Sequence, residues 1–130
     1  MTSAMNLVDS SGWIEYFANG PLAEPYSEYL GKSEELITPT IVLYEVYKKL
    51  KGAIDEEHAL LAASQMEKTR IVPLTESIAY QAADLSLIHK IPMADAIVYA
   101  TALSHNARVI TSDADFKNLP KVLFLNPVEE

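Results

Sequence analysis

Cysteine is absent from the chain, which excludes disulfides and thiolate metal sites and fits a reducing compartment. Basic residues are scarce: 10 Lys and Arg stand against 18 Asp and Glu, for a formal net charge of −8. That balance argues against a broad electrostatic footprint for nucleic acid. It does not argue against a nuclease whose acids are partly neutralised by a divalent cation. No apolar run approaches the roughly 20 residues that span a bilayer, and no positively charged start with an apolar stretch behind it opens the chain. A soluble, cytoplasmic protein with no membrane partner is expected. The phosphate loop G-x-x-x-x-G-K is missing, so an NTPase reading fails. His58, His89 and His105 lie far apart without paired ligand spacing and read as surface or helix-end residues rather than zinc ligands. No nucleophilic triad emerges.

What is present is a folded chain of 130 residues with 49% hydrophobic content, suited to one domain over residues 1–130 with one core. Met5 to Val8 reads as a buried strand closed by Asp9. Asp9-Ser10-Ser11-Gly12 offers caps to a helix whose Trp13, Ile14 and Phe17 share a face. Asn19-Gly20-Pro21 breaks it, and Leu22 to Leu30 forms a second short helix. Leu36-Ile37 is a brief strand. Thr38-Pro39 looks like a cap followed by proline in the first helical position, with the helix ending near Lys51-Gly52. Asp55 opens a helix to about Lys68, Arg70 to Leu74 is a strand, and Thr75 caps a helix to about His89. Pro92 marks another first turn. Ala107 to Thr111 is a β-branched strand, Ser112 to Phe116 a loop or helix start, and Val122 to Leu125 the last strand. Short apolar strands alternating with helices predict an α/β fold, three layers α/β/α around a mainly parallel sheet. Strand order does not follow from the pattern.

Two acids stand out because their neighbours want to be buried. Glu45 lies in Ile41-Val42-Leu43-Tyr44-Glu45-Val46-Tyr47, and Asp95 in Met93-Ala94-Asp95-Ala96-Ile97-Val98. An isolated carboxylate in such a setting costs several kcal/mol or more unless something pairs with it. Parallel sheets bind ligands beyond the carboxyl ends of their strands, where Asp9 and Asp113 fall. A pocket drawing on all of Asp9, Glu45, Asp95 and Asp113 would suit Mg²⁺ or Mn²⁺, which prefer oxygen ligands. Without metal, such a cluster should repel itself and at least one member should titrate abnormally high. Each acid also has a plainer role open to it. Asp9 could cap the next helix, Asp113 could turn on its own backbone, and Asp95 could be a first-turn acid facing the helix dipole. Glu45 has no capping role. Asp115 reads as an exposed loop acid or an accessory ligand. Lys48 and Lys49, with Lys51, read as phosphate contacts beside the pocket or as the solvated end of a helix.

The segments Asn6-Leu-Val-Asp9-Ser-Ser-Gly-Trp-Ile, Thr38-Pro-Thr-Ile-Val-Leu-Tyr-Glu45-Val, Met93-Ala-Asp95-Ala-Ile-Val-Tyr-Ala-Thr101 and Val109-Ile-Thr-Ser-Asp113-Ala-Asp115-Phe116 together resemble the PIN-domain family. In order and spacing they are most similar to its VapC-type ribonuclease toxins. The resemblance covers essentially the whole chain. It implies a compact α/β/α fold and Mg²⁺- or Mn²⁺-dependent endonucleolytic cleavage of RNA. It maps the metal-binding, catalytic acids onto Asp9, Glu45, Asp95 and Asp113, with Asp115 as a further ligand. It makes Ser10 and Thr111 hydroxyls that support the carboxylates or bound water. It also implies a homodimer held inactive by a cognate antitoxin protein.

Two other functions compete. A phosphoacceptor receiver-type signalling domain would need a Lys after its last strand, where this chain has Asn126-Pro127, and gives Glu45 and Asp95 no role. A catalytically silent PIN-like binding module is disfavoured because all four acids are present. A haloacid dehalogenase-type phosphatase would need a second Asp two residues after the first, where Ser11 stands. Trp13, Phe17, Tyr44, Tyr47 and Tyr99 read as core or dimer contacts rather than base-stacking platforms.

Overall fold

The computed structural model describes residues 5–126, so the ends of the expected domain and Pro127 lie outside the described residues. Strands β1 (Met5–Val8), β4 (Ala107–Thr111) and β5 (Val122–Phe124) form one parallel sheet in the order β1-β4-β5, and β2 (Ile37–Pro39) pairs parallel with β3 (Arg70–Val72). A single parallel bridge from Asn6 to Leu36 brings the two together beside β1. The expected α/β class with a parallel sheet is what the chain adopts. Parallel strands need long return connections, and helices supply them: α1 (Ser10–Phe17), α2 (Ala23–Leu30), α3 (Thr40–Ala53), α4 (Glu56–Met66), α5 (Glu76–His89) and α6 (Met93–Ser104).

The core follows the apolar pattern. Leu7, Val8, Val109 and Ile110 from the central strands lie at 1% exposure or less, as do Val42, Val46 and Leu50 along one stripe of α3. α6 is buried almost throughout, from Ala96 to Ala102. Asp55 and Thr75 cap their helices as their sequence positions suggest, accepting from the amides of His58 and Ile78.

Two helix starts differ from expectation. Pro39 and Pro92 are the N-cap residues, with extended ψ angles of 148° and 163°, and the helices begin at Thr40 and Met93. Thr38 is consequently no cap: it is paired in β2 opposite Ile71. The strand runs one step further than a cap-proline signal allows, because parallel pairing satisfies its backbone better than an early turn would. β3 also ends sooner than expected, at Val72 rather than Leu74.

None of the glycines adopts a positive φ; among the described residues the left-handed positions belong to Asn19, Lys90, Asn106, Asn118 and Lys121. Lys90 closes α5 at φ 57° and ψ 46°, a place more often given to glycine. Glycine is used for room instead. At Gly12 a Cβ would lie 2.4 Å from Tyr26 Cε1 and 2.5 Å from Val8 Cγ1, so α1 can approach β1 and α2 only without a side chain there.

Candidate metal centre

The register of β1 against β4 sets Val8 opposite Ile110, and the Asp9 amide continues the ladder by donating to the Ile110 carbonyl at 3.0 Å. Asp9 therefore emerges at the carboxyl edge of the sheet beside Thr111, with Asp113 two residues further along. Asp95 comes in from the first turn of α6. One carboxylate oxygen from each of Asp9, Asp95 and Asp113 lies within 4.8 Å of the others. Distances of this order suit several oxygens sharing one hard cation.

Asp9 is 2% exposed. It occupies the N-cap position of α1, yet its side chain makes no capping bond; its backbone carbonyl takes the Gly12 amide at 2.9 Å. The carboxylate is left to Thr111 Oγ1 and Ser11 Oγ, which donate to Oδ2 at 3.0 and 3.3 Å. Thr111 Oγ1 also accepts from the Asp113 amide at 2.9 Å. One hydroxyl thus ties the first acid to the backbone of the last. Asp113 does turn on its own backbone, its Oδ1 accepting from the Asp115 amide at 2.9 Å. A carboxylate has a second oxygen to spare.

The electrostatics match a cluster made for positive charge. Burial, then the nearby Asp113 and Glu45, push Asp9 up to about 6 against the bonds from Ser10 and Thr111 that lower it. Burial, then Asp113, Asp9 and Asp115, push Asp95 up to about 8. The helix dipole favours the ionised form of Asp95, and the surrounding acids outweigh it. Burial also raises Glu45, with a bond from the Ser10 hydroxyl opposing and Asp113 adding to the rise. Among the described residues the one ion pair is His58 with Asp55, so no Lys or Arg neutralises these acids. The donor set, all carboxylate and hydroxyl oxygen, fits Mg²⁺ or Mn²⁺.

A sequence profile of the PIN domain matches residues 7–122. The chain belongs to the PIN-domain family. This PIN domain shares 26% identity and a TM-score of 0.77 with a chain of a toxin–antitoxin complex from Klebsiella pneumoniae, covering 96% of its own length and 99% of that chain. Its fold is also that of a sarcin–ricin loop cleaving VapC toxin from Mycobacterium tuberculosis, at 19% identity, TM-score 0.71 and coverage of 85% and 91%. A chain of the DNA-bound VapBC of Salmonella typhimurium gives 14% identity, TM-score 0.72 and coverage of 97% and 100%. No curated protein sequence matches the chain.

The expected site residues divide in the PIN domain. Asp9, Asp95 and Asp113 come together. Glu45 stands in the second turn of α3, half-buried and near enough to raise Asp9, but outside that tight group. Asp115 is exposed, as a loop acid would be, and adds to the rise of Asp95. Lys48 and Lys49 are exposed on α3 and line, with Tyr44, Glu45, Gly52 and Ala53, a cleft of about 520 Å³. Of the aromatics expected to be core or dimer contacts, Trp13 and Tyr99 are core, and Tyr44 is 61% exposed, which removes only the core role for it. The buried stripe of α3 is Val42, Val46 and Leu50, and a residue two places after Val42 points to the opposite side of a 3.6-residue helix.

Ser11, Tyr26 and Ser112 were not legible as part of the site. Tyr26, fully buried, donates its hydroxyl to Ser112 Oγ at 2.9 Å and lies 3.5 Å from Ser11 Oγ. Burial raises its pKa, so it stays a protonated donor. Ser11 sits in a run that reads as helix caps, and nothing in the spacing of Tyr26 links it to residue 112. Tyr26→Phe should cost about 1 kcal/mol in urea unfolding. An unchanged midpoint would show that the hydroxyl chain does not support the edge of the site.

Proposed function

We propose that this PIN domain is a Mg²⁺- or Mn²⁺-dependent endoribonuclease, the toxin of a toxin–antitoxin pair. The observation that carries the reading is the convergence of Asp9, Asp95 and Asp113 to within 4.8 Å in a site without cationic partners. Asp9, Asp95 and Asp113 would hold the metal, Glu45 would complete the acidic wall, and Asp115 would extend it beside Asp95. When bound, the ion supplies an activated water and stabilises charge on the phosphodiester. Thr111 and Ser11 fix the Asp9 carboxylate, and the Ser10 hydroxyl would support Glu45. The exposed flank of α3 leaves the acids open to a polymer on one side. The Klebsiella relative, found in a toxin–antitoxin complex, supports a cognate antitoxin as partner, and the Mycobacterium toxin, a cleaver of the sarcin–ricin loop, supports RNA as substrate.

A panel of RNAs incubated with antitoxin-free protein tests the reading, with Mg²⁺ or Mn²⁺ against EDTA and with Asp95→Asn alongside. Metal-dependent cuts should fall on the order of 100- to 1000-fold in the variant. Folded protein that binds Mn²⁺ and cuts nothing would count against the nuclease; failure to bind metal would remove the site itself.

A further inference from the structure

The exposed side of α3 carries chemistry that the acid cluster does not use. Of the 10 Lys and Arg residues in the chain, Lys48, Lys49 and Lys51 fall together on this helix. Lys48 Nζ lies 5.4 Å from the centre of the Tyr44 ring and donates to its hydroxyl at 3.2 Å. Lys51 repeats the arrangement on Tyr47, at 5.3 Å and 3.4 Å. Each ammonium therefore restrains an aromatic ring without pairing to an acid. Tyr44 directly precedes Glu45, and both line the cleft with Lys48, Lys49 and Gly52.

Gly52 is informative because the fold does not need it. Its φ is not positive, and a Cβ there would meet nothing within 4 Å. Glycine is unfavourable inside a helix, and here it gains neither a turn nor close packing. What it leaves is an open floor to the cleft. Asp55, Glu56 and Glu57 follow the end of α3 and bound the positive stretch, which runs from Glu45 to Gly52 over about 10 Å of helix rise.

We propose that this cleft is the subsite for a single-stranded segment of RNA, with a base stacked on Tyr44 and its phosphates on Lys48 and Lys49. The inference rests on the RNA-cleaving reading above and adds which residues of this chain grip the strand. An exposed ring accepts the face of an unpaired base, which a duplex keeps hidden in its stack. Lys48 beside that ring and Lys49 in the same cleft neutralise the backbone as it leaves the acids. With an overall charge of −8, a stretch holding three of the ten basic residues contributes strongly to affinity for a polyanion.

Binding of a fluorescein-labelled, mixed-sequence 12-nucleotide RNA, single-stranded or annealed, to full-length Asp95→Asn protein tests the proposal without cleavage. Adding Tyr44→Ala should weaken single-strand binding about 10-fold, and adding Tyr44→Phe should restore it. Replacing Lys48 and Lys49 together by Gln should lower the salt slope by about 1.4. In otherwise unaltered protein, Tyr44→Ala should raise KM by more than it lowers kcat. Binding that ignores Tyr44, a salt slope that ignores both lysines, or tighter binding of the duplex would overturn the subsite. Cutting with a KM independent of Tyr44 would do so while leaving the nuclease reading intact. Tyr44-dependent binding by protein that cuts no RNA would do the reverse.

Discussion

Stripped of divalent metal, the protein is expected to lose at least about 3 kcal/mol of unfolding free energy between about pH 4 and pH 8, and Mg²⁺ or Mn²⁺ is expected to return most of it. The sign follows from the direction of the shifts. A carboxyl with a higher pKa in the folded chain than in the unfolded one costs nothing below the unfolded value, where both forms are protonated. It exacts its full penalty above the folded value. Asp9, pushed from 3.8 to about 6 by burial, accounts for about 3 kcal/mol at 1.36 kcal/mol per pH unit. Asp95, pushed to about 8 by burial and its acidic neighbours, adds a smaller share than its shift suggests, because it is half-exposed and screened by solvent. Asp55 moves the other way through its bonds with His58, but it is fully exposed and cannot offset a buried group. Urea unfolding at pH 5 and pH 8, with EDTA or with metal at 100 times its Kd, reads both effects; the second is worth about 2.7 kcal/mol. Asp95→Asn should make metal-free protein more stable at pH 8 and abolish the gain from metal. A profile flat across this range would mean that the acids do not strain the fold.

Gly12→Ala is expected to destabilise the protein by about 3 kcal/mol, although alanine is the better helix former by about 1 kcal/mol. The new Cβ would meet Tyr26 Cε1 at 2.4 Å and Val8 Cγ1 at 2.5 Å. Neither can give way, since Tyr26 is 0% and Val8 1% exposed. Shifting α1 instead would carry Ser11 away from Asp9 and weaken metal binding. Gly52→Ala is the matched control: with open space around its Cβ, it should gain roughly 0.5–1 kcal/mol. Urea denaturation of the two variants checks the pair. Similar effects from both would show that the helix interior, not the contact with Tyr26, decides.

The contrast between these glycines marks how far the sequence could be read. Ala107–Thr111 is a strand with the expected bounds, because β-branching and burial leave little else for it to do. The meeting of Asp9 and Asp113 could be anticipated from parallel-sheet logic, since acids after strands share one edge. Asp95 enters from the first turn of α6, after another helix, and only the tertiary fold brings it there. The tight turn through Asp113 and Asp115 was equally legible, being local. Tyr26 was not, as its role depends on packing between α1 and α2 and on a bond across 86 residues. Pro39 was misplaced by one position because a local cap signal competes with a strand partner, β3, that only the tertiary fold supplies. Its apolar neighbours leave Tyr44 open to either a core or a dimer role; helix phase turns it outward and removes only the first.

The bond from Thr111 to Asp9 joins residues 102 apart in sequence, and the same edge requires Asp113. The site therefore cannot form until Asp113 has been made. A growing polypeptide still on the ribosome, with β4 inside the exit tunnel, has no strand to pair with Met5–Val8 and no third carboxylate for a cation. Long-range closure of this kind makes folding slow relative to local structure, and here it holds back the acid cluster until β4 and Asp113 are free of the tunnel. For a protein whose proposed substrate is RNA, the order of assembly itself withholds the cutting edge from the machinery that is making it.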